Sequence, residues 1–404
     1  MKEPIYRDVE SEVIREVRDD AIGLLGYLVI NSRVNGLTCG GLRIHENISV
    51  QELQDHARVM ELKQAFIGLP RGGARAGIVA SYDLGDDQKQ LLMDRFAEIV
   101  EDELRDRKWL AAIDIGTNLS LIQNMYRHIN VEIPKPSKEI DNAGLYTAVG
   151  VMRSIELCLE IRNRKLTDCT FAVEGFGNVG SNLAKLLYER GAKVIAISSS
   201  NGTVFNERGL NALELFERFA KSKQIDRYGG AEQLSTAELS ELDVDVLCPC
   251  AVDSTITTEN MHRIKAEIIC AGANNPVTLA ADEYLYGKGV LYLPDFMTNA
   301  GGALGNMVKF AGLADKYFYR LIREQFSDKI KEVYLRSLAD GIPPREAGIR
   351  IADQKFAQMK AAKQKKSSSN ALYEMALSIY RKGLIPKVLL RPVAFRQIQN
   401  LIAR

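Results

Sequence analysis

Apolar residues recur along this chain with two different periods, and the change between them falls near Thr147. Before it the pattern is mixed. Val13 to Leu25 sets apolar residues at helical spacing, while Gln64 to Leu69 and Trp109 to Ile113 are short apolar runs that read as buried strands ending at the glycine-rich loop of Arg75 and at Asp114. Beyond Thr147, short strand-like runs alternate with helical stretches. Thr170 to Val173, Lys193 to Ile197, Asp243 to Leu247, Glu267 to Ala271 and Val290 to Leu293 are the predicted strands, with a helix after the first of them running through Arg190. Such alternation predicts a parallel sheet with helices on both faces. A charge-laced helix follows from about Asp315 to Leu338. Ala361 to Asn370, with Lys363, Lys365, Lys366 and Ser367-Ser368-Ser369, interrupts the pattern and reads as a linker. In the tail beyond it, Leu372, Met375, Ile379 and Tyr380 share one helical face, suited to packing on the chain's own subunit or against a partner.

Composition narrows the class without changing this picture. A chain of 404 residues accommodates two ordinary domains. With 46% hydrophobic and 26% charged residues it reads as a soluble globular protein. A net charge of +1 offers no electrostatic case for nucleic acid or membrane partners. No apolar run reaches the roughly 20 residues that span a bilayer, and Met1-Lys2-Glu3-Pro4 opens no signal-peptide pattern. Six scattered cysteines do not form a disulfide framework, so a cytoplasmic location is expected. Cys248-Pro249-Cys250 lacks further ligands at metal spacing and reads as a strand end; His45, His56, His128 and His262 show no metal spacing either. No metal is expected.

Candidate chemistry begins at Gly175-Phe176-Gly177-Asn178-Val179-Gly180, which follows a predicted strand and opens a predicted helix. That context is the dinucleotide-binding one. The first glycine allows the tight turn, the second lets a pyrophosphate approach the backbone, and the third permits close helix–strand packing. The anion then meets free N–H groups at a helix N-terminus. An acidic residue is expected about 20 residues on to hold the ribose hydroxyls. Ser199 stands at the end of that strand instead and removes a carboxylate that would repel a 2′-phosphate, which favours NADP over NAD.

Other elements lie in order around this fingerprint. They are Cys39-Gly40-Gly41-Leu42-Arg43, Lys63, Pro70-Arg71-Gly72-Gly73-Ala74-Arg75, Asp114-Ile115-Gly116-Thr117-Asn118, Thr147 in a Thr-Ala-Val-Gly-Val run, Gly272-Ala273-Asn274-Asn275-Pro276, and Pro294-Asp295 through Asn299-Ala300-Gly301-Gly302. Taken together they resemble the glutamate/leucine/phenylalanine/valine dehydrogenase family, in family order from about position 24 to 360. The resemblance implies an α/β protein of two domains. The first, residues 1–142 with 350–404 packing back, is a mixed α/β domain for substrate binding and oligomerisation. The second, 143–349, is Rossmann-like and binds NAD(P), with 361–370 a linker and 371–404 an extra tail. Homo-oligomers from dimer to octamer are expected.

The resemblance also distributes roles. Lys63 corresponds to the lysine that holds the substrate α-carboxylate, in register twelve residues before Arg75. Asp114 corresponds to the aspartate of proton transfer, although it can also serve as a loop cap before Gly116. Cys39, with Gly40 and Gly41, occupies the place where glutamate-specific members carry a lysine, and Asn306 the place of their serine. Neither brings a cation, so a neutral substrate side chain is expected, with Asn306 bonding either it or backbone alone. Thr147, Asn274 and Asn299 join the glycine loop as cofactor contacts. The departure is Arg75, at the position of the family's catalytic lysine. A lysine can lose its proton when buried, whereas guanidinium stays charged. Hydration of an iminium needs a base near the operating pH, so ordinary oxidative deamination is expected to be slow. What remains open is a non-glutamate amino-acid or imino-acid oxidoreductase, or a catalytically impaired nucleotide-binding regulatory or scaffold subunit.

Overall fold

A computed structural model of the protein describes residues 10–105, 108–131, 143–222, 224, 225 and 228–362, together with Glu3, Ile5, Tyr6 and residues 395, 396, 398–400 and 402. Among the described residues the chain forms two compact units. One takes Tyr6 and the residues up to Val131 and resumes at Ala352; the other takes those from Ala143 to Ile351 with the two ends of the chain.

The first unit is built on five strands: β1 (Val13–Asp19), β2 (Leu24–Ile30), β3 (Thr38–His45), β4 (Gly72–Val79) and β5 (Trp109–Ile113), in the order β1-β2-β4-β3-β5. Strands β3, β4 and β5 run parallel, and β2 joins β4 antiparallel. Side chains alternate between two faces. Leu28, Ile30, Ala74 and Ala76 belong to a core with Phe96, Trp109 and Met125, while Val29 meets Leu53 and Ala57 of the helix Val50–Phe66 on the other face.

Three elements here differ from the sequence expectation. Val13 to Leu25 is the β1–β2 hairpin, not a helix. Val13, Ile14, Val17 and Leu24 fit either period, and pairing of β1 with β2 over its whole length decides for strand, with Gly23 at φ 68° in the turn. Gln64 to Phe66 ends the helix that begins at Val50; this last turn is buried on every side, which hides helical periodicity. Arg75 lies within strand β4, paired on both edges, not in a loop. Glycines here serve close approach: a Cβ on Gly73 would come within 2.0 Å of the Ala57 carbonyl, and one on Gly40 of β3 within 1.6 Å of the Ala74 carbonyl.

The second unit carries β6 (Thr170–Glu174), β7 (Lys193–Ser199), β8 (Gly202–Phe205), β9 (Glu232–Leu234), β10 (Val246–Pro249), β11 (Ile268–Cys270) and β12 (Leu291–Leu293). Their order is β12-β11-β10-β6-β7-β8-β9, parallel from β12 to β7 and antiparallel at β8 and β9. The antiparallel edge was not expected; the parallel core was. Reversal of strand order beside β6 places the glycine run at a topological switch point, at the carboxyl end of a parallel strand. The helix Ala143–Ile161 packs against Gly301–Phe310 with their backbones in contact, since a Cβ on Gly301 would come within 2.4 Å of the Tyr146 carbonyl. The expected long helix is Asp315–Leu321 and Ser327–Asp340, joined by a π-helical turn, Ile322–Phe326.

The helix Pro344–Ala361 contributes to both units: Arg345 donates to the Val277 carbonyl (2.7 Å) in one, and Asp353 pairs with Arg58 (2.7 Å) in the other. Linker residues 363–370 and most of the tail lie outside the described residues. Where the tail is described, Phe395 lies 4.6 Å from the Tyr317 ring, with Arg320 over its face. That contact sets this part of the tail on the second unit, whereas the sequence reading sends it back to the first; burial of an aromatic ring decides the placement. Among the described residues no helix is long and apolar enough to cross a membrane.

The glycine contacts lead to a stability test. Gly301→Ala should destabilise the protein by about 1–3 kcal/mol, because the added methyl overpacks a backbone contact. Gly287→Ala, where a Cβ meets nothing within 4 Å, should be neutral or stabilise by up to ~1 kcal/mol. Urea unfolding of the two variants separates these outcomes.

Candidate functional site

The register of β3, β4 and β5 assembles a buried charged network in the first unit. Arg75 lies opposite Val29, on the sheet face that the helix Val50–Phe66 covers. Its Nη2 stands 2.7 Å from Oδ2 of Asp114, the residue that follows β5. The same oxygen accepts from Nε of Arg43 at 3.1 Å. Arg43 in turn donates through Nη1 to Glu52, and Nδ1 of His56 lies 3.5 Å from Arg75. Gly41 makes room: a Cβ there would come within 3.0 Å of the Arg75 guanidinium and 2.9 Å of the Asp114 side chain. Thr117 locks the Asp114 loop by accepting from the Asp114 N–H and donating to the Leu42 carbonyl.

Two guanidiniums on one carboxylate set the electrostatics. Burial alone would raise the Asp114 pKa, but Arg75 and then Arg43 outweigh it and hold the carboxyl below the usual carboxylate range. Burial lowers the pKa of Arg75, while Asp114 opposes that change. An arginine nevertheless keeps its proton in a protein. Both expected catalytic residues are therefore together, and each is occupied by the other.

Cys39 pairs with Gly73 in β3 and is buried. Burial pushes its thiol pKa up, with Arg71 and Lys63 acting in the opposite sense. Lys63 sits in the last turn of the helix Val50–Phe66, also buried. Arg71 is a cation beside the expected substrate positions that the sequence reading passed over. Arg43, Glu52 and His56 were missed as well. The i,i+4 spacing of Glu52 and His56 was the available signal.

In the second unit, β6 leads into the glycine loop and the helix Gly180–Glu189. Gly175 has φ 89° and donates its N–H to Oγ of Ser198 at 2.9 Å. Gly177 is exposed, and a Cβ there would meet nothing, so the backbone is open to an approaching group. Gly180 is closed, since its Cβ would fall 1.8 Å from the Gly175 carbonyl. These three environments suit a turn, a phosphate approach and close packing. Asn178 is exposed beside Gly177, Val179 packs near Gly272, and Phe176 is a core residue with its ring 5.3 Å from Phe219.

The other expected contacts divide. Ser199 ends β7, and its hydroxyl accepts from the Asn201 N–H at 3.3 Å. Thr147 donates to its own helix at the Ala143 carbonyl. Asn299 is buried, and its amide nitrogen reaches the carbonyls of Gly272 and Ala273 and Oδ1 of Asn274 (3.0 Å). Oδ1 of Asn299 and Oδ1 of Asn306 are buried with no hydrogen-bond partner among the described residues. An unpaired buried acceptor costs about 1–3 kcal/mol, which a donor on a bound molecule would recover.

Comparison with known proteins agrees with this two-domain fold. The family model for glutamate/leucine/phenylalanine/valine dehydrogenase matches residues 143–362, and that for the Glu/Leu/Phe/Val dehydrogenase dimerisation domain matches 10–131. Glutamate dehydrogenase of Aeropyrum pernix is 31% identical over 349 residues, 81% of this chain and 82% of that protein. Among solved structures, the Leu-bound hetero-hexameric glutamate dehydrogenase from Thermus thermophilus superposes with a TM-score of 0.76 at 21% identity, covering 90% of this chain and 93% of that one. L-tryptophan dehydrogenase from Nostoc punctiforme gives 0.63 at 22% identity, covering 88% and 98%. The two-domain α/β fold is common to them.

Removing the central carboxylate should expose the strength of the network. Asp114→Asn leaves Arg75 and Arg43 with an uncompensated buried charge and should cost ~3–5 kcal/mol. The native pKa of Asp114 is depressed, so its contribution is complete above the unfolded value of about 3.9 and is lost as pH falls through the native value. Denaturant unfolding of both proteins from pH 7 to pH 3 should show the two stabilities converging in acid.

Proposed function

Because the chain belongs to the glutamate/leucine/phenylalanine/valine dehydrogenase family, whose members are NAD(P)-dependent amino-acid dehydrogenases, we propose that it is an oxidoreductase moving hydride between NAD(P) and a non-glutamate α-amino, 2-oxo or imino acid. The observation that carries this reading is the glycine loop. It is open at Gly177, closed at Gly180 and followed by a helix N-terminus, which suits a pyrophosphate. Asn178 and Val179 complete the loop. Ser199 would meet the adenosine ribose, where the lack of a carboxylate favours NADP. Asn299 and Asn274 line the opposite strand ends, and Thr147 stands on the adjoining helix. Bound nicotinamide supplies the hydride chemistry.

On the substrate side, Lys63 would anchor an α-carboxylate beside Cys39, Gly40 and Gly41, and Asn306 would offer its unpaired oxygen to a donor. Arg75 and Asp114 would be the catalytic pair. Asp114 is held as a carboxylate by two guanidiniums and is a weak base, while Arg75 cannot give up its proton. Nothing in this pair activates water at neutral pH. A substrate that needs no water activation, such as a preformed imine, suits it best, with Arg75 polarising the reacting group.

The same ion pair favours a second reading, a catalytically impaired subunit that binds nucleotide and regulates or scaffolds an assembly. The Thermus thermophilus relative is described as hetero-hexameric and leucine-bound, which shows that unlike chains assemble on this fold. The match of residues 10–131 to a dimerisation domain supports an oligomer in either case, with a homo-oligomer the simpler form.

Fluorescence titration should show saturable binding of both reduced cofactors, NADPH tighter than NADH, with Ser199→Asp reversing the order. A native preference for NADH would overturn the Ser199 argument.

Arg75→Lys should raise oxidative deamination of a neutral amino acid by ~10²–10⁴-fold, with a rate that climbs with pH as the lysine deprotonates. The check is cofactor turnover across amino acids, 2-oxo acids and cyclic imines. A fall in native turnover on the same change would make arginine the adapted catalytic group. Inactivity of both proteins despite cofactor binding would favour the impaired-subunit reading, and turnover of glutamate would point to Arg71 as the cation for its side chain.

A further inference from the structure

Glu174 is the last residue of β6 and directly precedes Gly175. Its backbone carbonyl accepts from the Cys250 N–H at 2.7 Å, which fixes it against the end of β10, and the Gly175 N–H is taken by Ser198. The carboxyl hydrogen-bonds Thr255. The Cys250 thiol lies near it just past β10, and residues 251–255, which carry Thr255, hold one charged residue, the acidic Asp253. No cation neutralises the carboxyl among the described residues. Burial pushes its pKa up to about 7, and the Thr255 hydrogen bond offsets only part of that rise.

An ionisable acid is therefore built into the root of the loop proposed to receive a dinucleotide. Cys250, near that carboxyl, also lies against the loop, its Cβ 3.3 Å from where a Cβ on Gly180 would stand, so a carboxylate there and a pyrophosphate on the loop backbone are neighbouring like charges that disfavour each other. We propose that Glu174 makes dinucleotide binding proton-linked, the protein taking up a proton at this carboxyl as the pyrophosphate settles on the loop. The inference rests on the cofactor reading above.

The sign follows from linkage. Free protein loses the proton near neutral pH, and a bound dianion raises the affinity of Glu174 for it. Affinity for the dinucleotide is then highest in mild acid and falls as pH rises through 7. It levels off once the bound form also deprotonates. Each pKa unit that the ligand adds corresponds to a tenfold change in affinity.

Isothermal titration calorimetry of the full chain with NADH, from pH 6 to 8.5, in buffers of different ionisation enthalpy, tests this. NADH is the probe because its pyrophosphate does not titrate in this range, whereas a phosphate monoester does, near pH 6. The wild type should weaken by about tenfold across the range, and its binding enthalpy near pH 7 should depend on the buffer in the sense of proton uptake. Glu174→Gln should bind with a flat pH profile, near the wild-type affinity in acid, and without buffer dependence. The buffer dependence of the wild type alone decides the matter if the variant does not fold. Binding with a flat profile, or a profile unchanged in Glu174→Gln, overturns this inference and leaves the cofactor reading intact. Failure of both NADH and NADPH to bind at any pH overturns both.

Discussion

The pairing of Arg75 with Asp114 is the constraint around which the first unit is arranged. A guanidinium in the middle of a sheet has to find a carboxylate, and Asp114 supplies one from the end of β5. Meeting it requires β3, β4 and β5 in their observed register, Gly41 without a side chain, and Thr117 holding the loop. Arg43 shares the same oxygen and must itself be balanced, which Glu52 does. Each buried charge thus calls for the next, because an unpaired one would cost several kcal/mol. The arrangement is stable as it stands and leaves little freedom for a proton to move.

Much of the second unit was legible in the sequence. Its parallel strands are short apolar runs that end in glycine or polar residues, so β6, β7, β11 and β12 fall where the pattern puts them. The first unit was harder to read. Val13, Ile14 and Val17 satisfy a helix or a strand equally, and only pairing with β2 separates the two. The glycines of β4 suggest a loop, yet Gly73 marks where the helix Val50–Phe66 lies close on the sheet, and Gly72 where the Ser32 backbone does.

Site residues divide along the same line. Arg75, Asp114 and the glycine loop are legible as candidates because their local motifs are distinctive. Glu52, His56 and Arg71 are not, since their role depends on strand register and helix placement far from them in sequence. Their identity as site neighbours is a property of the fold, and along the chain only the i,i+4 spacing of Glu52 and His56 hints at it. Glu174 was passed over for another reason. It flanks the glycine motif without belonging to it, and its significance lies in the lack of a cation around it among the described residues.

The Asn299 side chain has a consequence for energetics. One amide nitrogen ties the Gly272 and Ala273 carbonyls and the Asn274 side chain together through bonds within the chain itself. That stretch is consequently organised in advance, so a ligand docking on it gives up little loop entropy. The reward of association should then appear as enthalpy from the oxygen that Asn299 still leaves unpaired.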